Sequence, residues 1–343
     1  MIDVDECCIL TYLGPPPRFV SQHLDSNAIS INGYAINVTI DGNEFVSLGQ
    51  NAIASWGRAD GNSGLNGLYP SGTTISNNFC HEIGHIQKQS SFYFQAETAR
   101  TTIRNNIVFN IPRAAINFND GFGGGNEMTA NLLFNTCRES SDHGAFNSWD
   151  RLPYITTVRD GKTSSSVPAI NDMHHNFIVA NYAADGGCLD NDDGSSYYDI
   201  HHNACVFGGH KSDFDGNKKR SFANLHLFPS VYGVTCVSIG AQQLPPLHYA
   251  EAYFNNTCVL PVAGSNYLRV PGDLTGAPQA FVDGLMLSNN TIYAPKGEVN
   301  VDISKKIITF GQFQKDGFDS QSRVVGTVPS TSKMQEWIDE LLM

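Results

Sequence analysis

The stretch that decides the fold is NNIVFN (residues 105–110), followed by ANLLFN (130–135), HNFIVAN (175–181) and HNACVF (202–207). In each copy an Asn is followed two residues later by an apolar residue. The pattern extends both ways, as GNEFVSL at Asn43, NNFCHEI at Asn78, ANLHLF at Asn224, NNTCVL at Asn256 and NNTIYA at Asn290. The marked Asn residues are spaced by 35, 28, 25, 45, 27, 21, 32 and 34 residues. The shorter intervals suit one turn of a three-sided solenoid, and the longer ones carry loops inserted into a turn.

In a strand, residues i and i+2 share a face. Each marked Asn therefore points inward beside its partner: Phe45, Cys80, Val108, Leu133, Ile178, Cys205, His226, Cys258 and Ile292. The expected fold is all-β, a right-handed parallel β-helix forming one domain over residues 1–343. Repeats run from about residue 25 to 295, and a C-terminal strand and helix fill 296–343. The Asn side chains are expected to form a ladder in which each amide bonds the next. The one clear helical pattern, SKMQEWIDELL, spaces Met334, Trp337, Ile338 and Leu341 on one face. It is expected to cover the last turn, where an open sheet edge invites pairing.

Composition narrows the function. With 41% hydrophobic residues among 343, the chain can bury a sizeable core. No apolar run reaches the ~20 residues of a membrane helix. A net charge of −12 argues against a nucleic-acid binder, which would show a basic face. The N-terminal MIDVDECCIL has no basic and apolar signal pattern, yet sequons at Asn37, Asn255 and Asn289 point to a secreted or cell-surface glycoprotein. Among the eight cysteines, Cys80, Cys205 and Cys258 fall in the apolar column and read as core rungs rather than disulfide partners. Cys7 and Cys8 are adjacent, and the sequence leaves Cys137, Cys188 and Cys236 open. No Cys/His spacing supports a zinc site.

A second register carries the polar chemistry. Its copies are AIASWGR at Ala52, AINFNDG at Ala115, AFNSWDR at Ala145 and GCLDNDDG at Gly187. Five residues on from each start come Gly57, Asp120, Asp150 and Asp192. Equivalent residues of neighbouring turns lie ~4.8 Å apart, so Asp120, Asp150 and Asp192 are expected to form a column at one strand end. Stacked carboxylates push their pKa values apart, which supplies an acid and a base. A separation of ~5 Å fits a retaining glycosidase. DNDDG is also oxygen-rich enough for calcium, although the complete EF-hand loop is absent and no cofactor is required.

Other groups flank this column. His143, Asn147, Trp149 and Arg151 surround Asp150, while His210, Lys211 and Asp213 follow Asp192. Trp149 suits sugar stacking, and Arg151 suits a carboxylate of the protein or substrate. Gln95 lies on an earlier copy. The KKR triplet at 218–220 reads as a solvated loop. His81 to His85 spells HExxH, but within a β-repeat rather than the helix a zincin needs. The segment RLPYITTVRDGKTSSSVPAI (151–170) is rich in turn formers and is expected to wall a cleft.

CHEIG, KQSSFYFQA, RAAINFNDGFGGGN, FNTCRESSDHGAFNSWDR and LDNDDGSSYYDIHHN together resemble right-handed parallel β-helix proteins of the pectate-lyase-like fold. SDHGAFNSWDR and DNDDGSSYY resemble family 141 glycoside hydrolases and their eukaryotic relatives, over roughly residues 25–295. That resemblance implies two catalytic carboxylates, one from the segment holding Asp190, Asp192 and Asp193. The chain departs from the family after Trp149, with Asp150-Arg151-Leu152 where the hydrolases tend to have Gly-Arg-Asp. The leading expectation is a retaining hydrolase of a plant or algal polysaccharide. Asp192 or Asp193 would be the nucleophile and Asp150 the acid/base. His143, Arg151 and Lys211 would orient substrate, beside Asp120, Asn147, Trp149, Asp190, Asp213 and Gln95. The competing expectations are a polysaccharide lyase and a non-catalytic glycan-binding or structural β-helix.

Overall fold

The computed structural model describes residues 2–5, 20–58, 67–119, 123–149, 153–155, 160, 162–163, 167–183, 185–213, 216–229, 235–240, 248–270 and 279–343. Three long sheets wind around one axis. A front sheet has twelve strands, a flank sheet eleven and a back sheet nine. Each turn contributes one short strand to each sheet, and the strands pair in parallel with those of the turns before and after. The chain is a parallel β-helix.

The Asn ladder occupies the corner between back and flank sheets, and all nine marked residues belong to it. Side-chain amide to side-chain oxygen bonds link Asn43 to Asn78 (3.0 Å), Asn106 to Asn131 (2.9 Å) and Asn131 to Asn176 (2.9 Å). They continue from Asn176 to Asn203 (2.9 Å) and from Asn256 to Asn290 (3.1 Å). Each corner turns through the left-handed region. Asn77, Asn105, Ala130, His175, His202, Ala223, Asn255 and Asn289, which immediately precede ladder residues, have φ between 52° and 56°. Asn tolerates that conformation because its short side chain bonds locally, which explains the NN doublets. Phe45, Cys80, Val108, Leu133, Ile178, Cys205, His226, Cys258 and Ile292 pair rung by rung as the buried stack beside the ladder.

Asn176 shows what a rung is worth. Its amide donates to Asn203 Oδ1 and to the Met128 carbonyl, both at 2.9 Å. Its own oxygen accepts from the backbone N–H and side chain of Asn131 at 3.1 and 2.9 Å. Asn176→Ala strands several buried groups at about 1–3 kcal/mol each. The expected loss is at least about 3 kcal/mol by urea denaturation. A loss under about 1 kcal/mol would mean that water replaces the side chain.

Two sequence expectations about the core need correction. Cys205 is bonded to Cys188 and Cys258 to Cys236, with Cα–Cα distances of 6.2 and 6.3 Å. The stack position on the flank sheet faces the front-sheet strand of the same turn across a narrow core. An inward Cys on each side therefore meets its partner. Closing a loop of this length is worth roughly 3 kcal/mol. Cys80 and Cys137 remain free and buried. The KKR triplet is a strand rather than a solvated loop: it lies in Asn217–Phe222, with Lys219 turned inward against Glu251 at 3.0 Å, both 1% exposed.

The C-terminal helix Thr331–Leu342 is present, but it lies along the flank rather than over the last turn. Met334 and Ile338 pack on Leu225, Leu227 and Val259 of the flank sheet, and Trp337 on Tyr293 at 5.3 Å. The open end of the front sheet is closed instead by a hairpin, Val299–Ile303 with Lys306–Thr309, and by the short helix Phe310–Lys315. Phe310 and Phe313 of that helix plug the core.

Candidate active site

The front sheet sorts its residues by parity. Ile53, Tyr93, Ile116, Phe146, Leu189 and His210 pair along one inward column. The next residue of each strand faces outward: Ala54, Phe94, Asn117, Asn147, Asp190 and Lys211. Trp56 is outward too, 45% exposed, with its ring 4.7 Å from Phe94. The outer face thus changes along the axis from aromatic, through amide, to charged.

The middle of this face is polar and yet buried. Asn117, Asn147, Asp190 and Lys211 are at most 1% exposed. Neither polar atom of the Asn117 side chain has a hydrogen-bond partner among the described residues, nor does Asn147 Nδ2. Unpaired buried polar groups cost about 1–3 kcal/mol each, so such a column marks a surface built for something other than stability. Arg113 Nη2 holds the Asn147 oxygen at 3.1 Å.

Lys211 is the electrostatic centre. Its ammonium lies 3.1 Å from Asp142, 3.4 Å from Asp190 and 3.0 Å from Asp213. Burial opposes its charge, but Asp190, Asp213 and Asp192 outweigh that and raise its pKa, so Lys211 stays protonated. Burial pushes the Asp190 carboxyl well above the usual carboxylate range, against the pull of Lys211. Asp213 is also raised, first by burial and then by the negative Asp192 and Asp193, with Lys211 opposing. Burial and Arg113 lower His143 to about 4, so its ring is neutral at pH 7. The Ser140 hydroxyl meets His143 Nδ1.

The aspartates do not line up as the five-residue count expects. Phe146 pairs with Leu189, so Cys188 and not Gly187 is the equivalent of Ala145. Backbone bonds carry the register one residue further, from Trp149 N–H to Phe118 and from Asp192 N–H to Ser148. Asp192 therefore sits level with Trp149, and the corrected count ends on Asp193. Asp213 follows on the next rung, its N–H bonded to Asn191 at 2.8 Å. One oxygen each from Asp192, Asp193 and Asp213 lies within 4.8 Å of the others. Asp192 and Asp213 are half-buried and Asp193 is exposed.

The structure brings Asn147, Trp149, Asp190, Asp192, Lys211 and Asp213 onto one face, with Asp193 and His143 at its border. Gln95 is elsewhere: its position is inward, and its side chain takes a hydrogen bond from the Tyr93 hydroxyl at 3.0 Å inside the solenoid. Asp120, Asp150 and Arg151 lie outside the described residues. His81 lies on the strand Phe79–Ile83 and stacks on Phe109 at 4.9 Å, a setting without a helix. Sequence reading missed Arg113, Asp142, Asn117 and the Trp56–Phe94 pair. Asp142 meets Lys211 across 69 residues, a separation no local pattern signals. The front-face parity of Asn117 and Phe94 was available in principle, once Asn147 had been placed outward.

No protein-family model, no curated protein and no solved structure matches this chain.

Proposed function

We propose that the protein is a retaining glycoside hydrolase, with its polysaccharide lying along the outer face of the front sheet. The observation that carries this reading is the pair Asp192 and Asp213. They occupy adjacent rungs with oxygens within 4.8 Å, and burial raises the pKa of Asp213. Retaining enzymes need two carboxyl groups about 5–5.5 Å apart, one ionised and one protonated.

Asp213 donates its proton to the glycosidic oxygen as the C1–O bond breaks. The Asp192 carboxylate attacks C1 and forms a glycosyl ester. The Asp213 carboxylate then takes a proton from water, whose oxygen attacks C1 and frees Asp192. Trp56, Phe94 and Trp149 supply stacking surface. Lys211, 3.0 Å from Asp213, orients that carboxyl and supplies the positive charge a bound ion would otherwise supply, so a chelator should leave hydrolysis unchanged.

Lys211, held protonated by its carboxylate neighbours, is no base for an elimination, whereas the neutral His143 is one. A secreted or cell-surface location fits as well, since Asn37, Asn255 and Asn289 are all exposed and two disulfides cross the core. Among the described residues no helix is long and apolar enough to cross a membrane.

The test is product analysis on a panel of plant and algal polysaccharides. Proton NMR of the first product should show the anomeric configuration of the substrate. An inverted anomer, or an unsaturated sugar absorbing in the ultraviolet, would overturn the mechanism. Binding without turnover would favour a non-catalytic glycan binder.

A further inference from the structure

The sequence Asn-Asn-Thr occurs twice, 34 residues apart, at Asn255-Asn256-Thr257 and Asn289-Asn290-Thr291. The second Asn of each copy is a rung of the ladder. The first is an exposed corner in the left-handed region, with φ of 56° and 53°. Thr257 pairs with Thr291, so the two corners stand on adjacent rungs. Asn289 Nδ2 donates to Asn255 Oδ1 at 2.6 Å, and the Asn255 N–H donates to the Ser288 carbonyl at 3.1 Å. Both copies are N-glycosylation acceptors spelled with the same three letters. Local sequence therefore does not distinguish them, but their places in the fold do.

The corner column runs His202, Ala223, Asn255, Asn289 and Gln321, one residue per rung. On the Ala223 side a groove opens beside Asn255, bounded by His202, Ala223, Trp337, Glu340 and Leu341. The C-terminal helix forms its far wall, where Trp337 is half-buried against Tyr293. Asn289 has no such outlet. Asn255 stands on one side of it and Gln321 on the other, with the Ser288 hydroxyl bonded to Gln321 Oε1 at 2.7 Å. Arg323 Nε also donates to Thr291 Oγ1 at 3.2 Å. The Asn289 nitrogen is engaged by its neighbour, whereas Asn255 gives that bond only its oxygen.

We propose that Asn255 carries an N-linked glycan and that Asn289 stays bare beside it. This rests on the secreted reading of the chain. In the transfer, Asn255 Nδ2 attacks C1 of the reducing-end sugar of a lipid-linked diphosphate oligosaccharide. The N–C1 bond forms, the C1–O bond breaks, the diphosphate leaves with that electron pair, and one amide proton passes to solvent. The Asn255 oxygen keeps its bond from Asn289. The first sugar lies toward Ala223, with an apolar face against Trp337. Glycans are bulky, and two of them rooted on rungs ~4.8 Å apart overlap. A chain modified at both corners therefore does not close these rungs.

The test expresses the full chain behind a cleavable secretion leader in insect cells. Intact mass counts the glycans on each secreted molecule. Peptide N-glycosidase in heavy-oxygen water then marks each occupied Asn as labelled Asp for peptide mapping. Wild type should be labelled at Asn255 and not at Asn289. Thr257→Ala removes the first acceptor motif without altering the corner, and Asn289 should then become occupied. Thr291→Ala should leave Asn255 occupied. Both corners occupied on one molecule, Asn289 occupied with Asn255 bare, or neither occupied overturns the proposal. So does an Asn289 that stays bare in Thr257→Ala. The leader supplies the secretory route, so the map reads the pair and not the natural location of the chain. Asp192→Asn should give the same map, so this site and the hydrolase reading fail separately.

Discussion

Asp192→Asn and Asp213→Asn should each lower turnover of the polysaccharide by at least roughly 10²–10⁴-fold, the range contributed by a positioned acid, base or nucleophile. The two variants should differ in how they fail. Asp192→Asn removes the attacking carboxylate, so substrates with good leaving groups gain nothing. Asp213→Asn removes the proton donor, so an activated aryl glycoside should keep the first step and stall at the glycosyl ester. The pH profile follows from burial. Asp213 must be protonated to donate, and burial raises its pKa from the ordinary carboxylate value. Wild-type kcat/KM should therefore hold below that pKa and fall as pH rises through it, and Asp213→Asn should lose this limb. Circular dichroism of both variants should match wild type, because both side chains lie on the outer face. Full activity in either variant would remove it from the chemistry.

Glu251→Gln should destabilise the fold by about 3–5 kcal/mol, the usual result of leaving one partner of a buried ion pair without its counter-charge. Lys219 and Glu251 are each 1% exposed and 3.0 Å apart inside the solenoid. Glu251 also accepts from the Tyr253 hydroxyl at 3.0 Å and lies 3.4 Å from Ser212 Oγ. Gln can keep the hydroxyl contacts, so the loss isolates the uncompensated ammonium. Lys219→Met/Glu251→Gln should recover much of that stability, since replacing both charges is often neutral. Urea denaturation midpoints read both effects. A cost under about 1 kcal/mol for Glu251→Gln would mean that Lys219 sheds its proton or reaches water.

What the sequence discloses depends on whether a residue's partner is near in the repeat. The Asn ladder was legible down to its last rung, because each side chain can be satisfied only by its equivalent one turn away. The apolar stack beside it followed from strand parity. The disulfides were not legible, because Cys188 and Cys205 meet across the core and not along a column. Lys219 reads as solvated from the sequence because its interior partner lies 32 residues on, beyond any local motif. The site suffered a slip of one residue: Gly187 and Cys188 are both small, and only the pairing of Phe146 with Leu189 separates them. That slip exchanged Asp192 for Asp193 in the column and hid the neighbourly relation of Asp192 to Asp213. Gln95 failed on parity, since a shift of one residue turns a side chain from groove to core.

The most direct measurement is trapping of the glycosyl ester. A 2-fluoro glycoside of the sugar that the wild type releases would be incubated with the full chain, and the labelled peptide mapped by mass spectrometry. The account predicts one adduct per molecule, on Asp192. An adduct on another residue, or hydrolysis that inverts the anomer with no adduct formed, would contradict it.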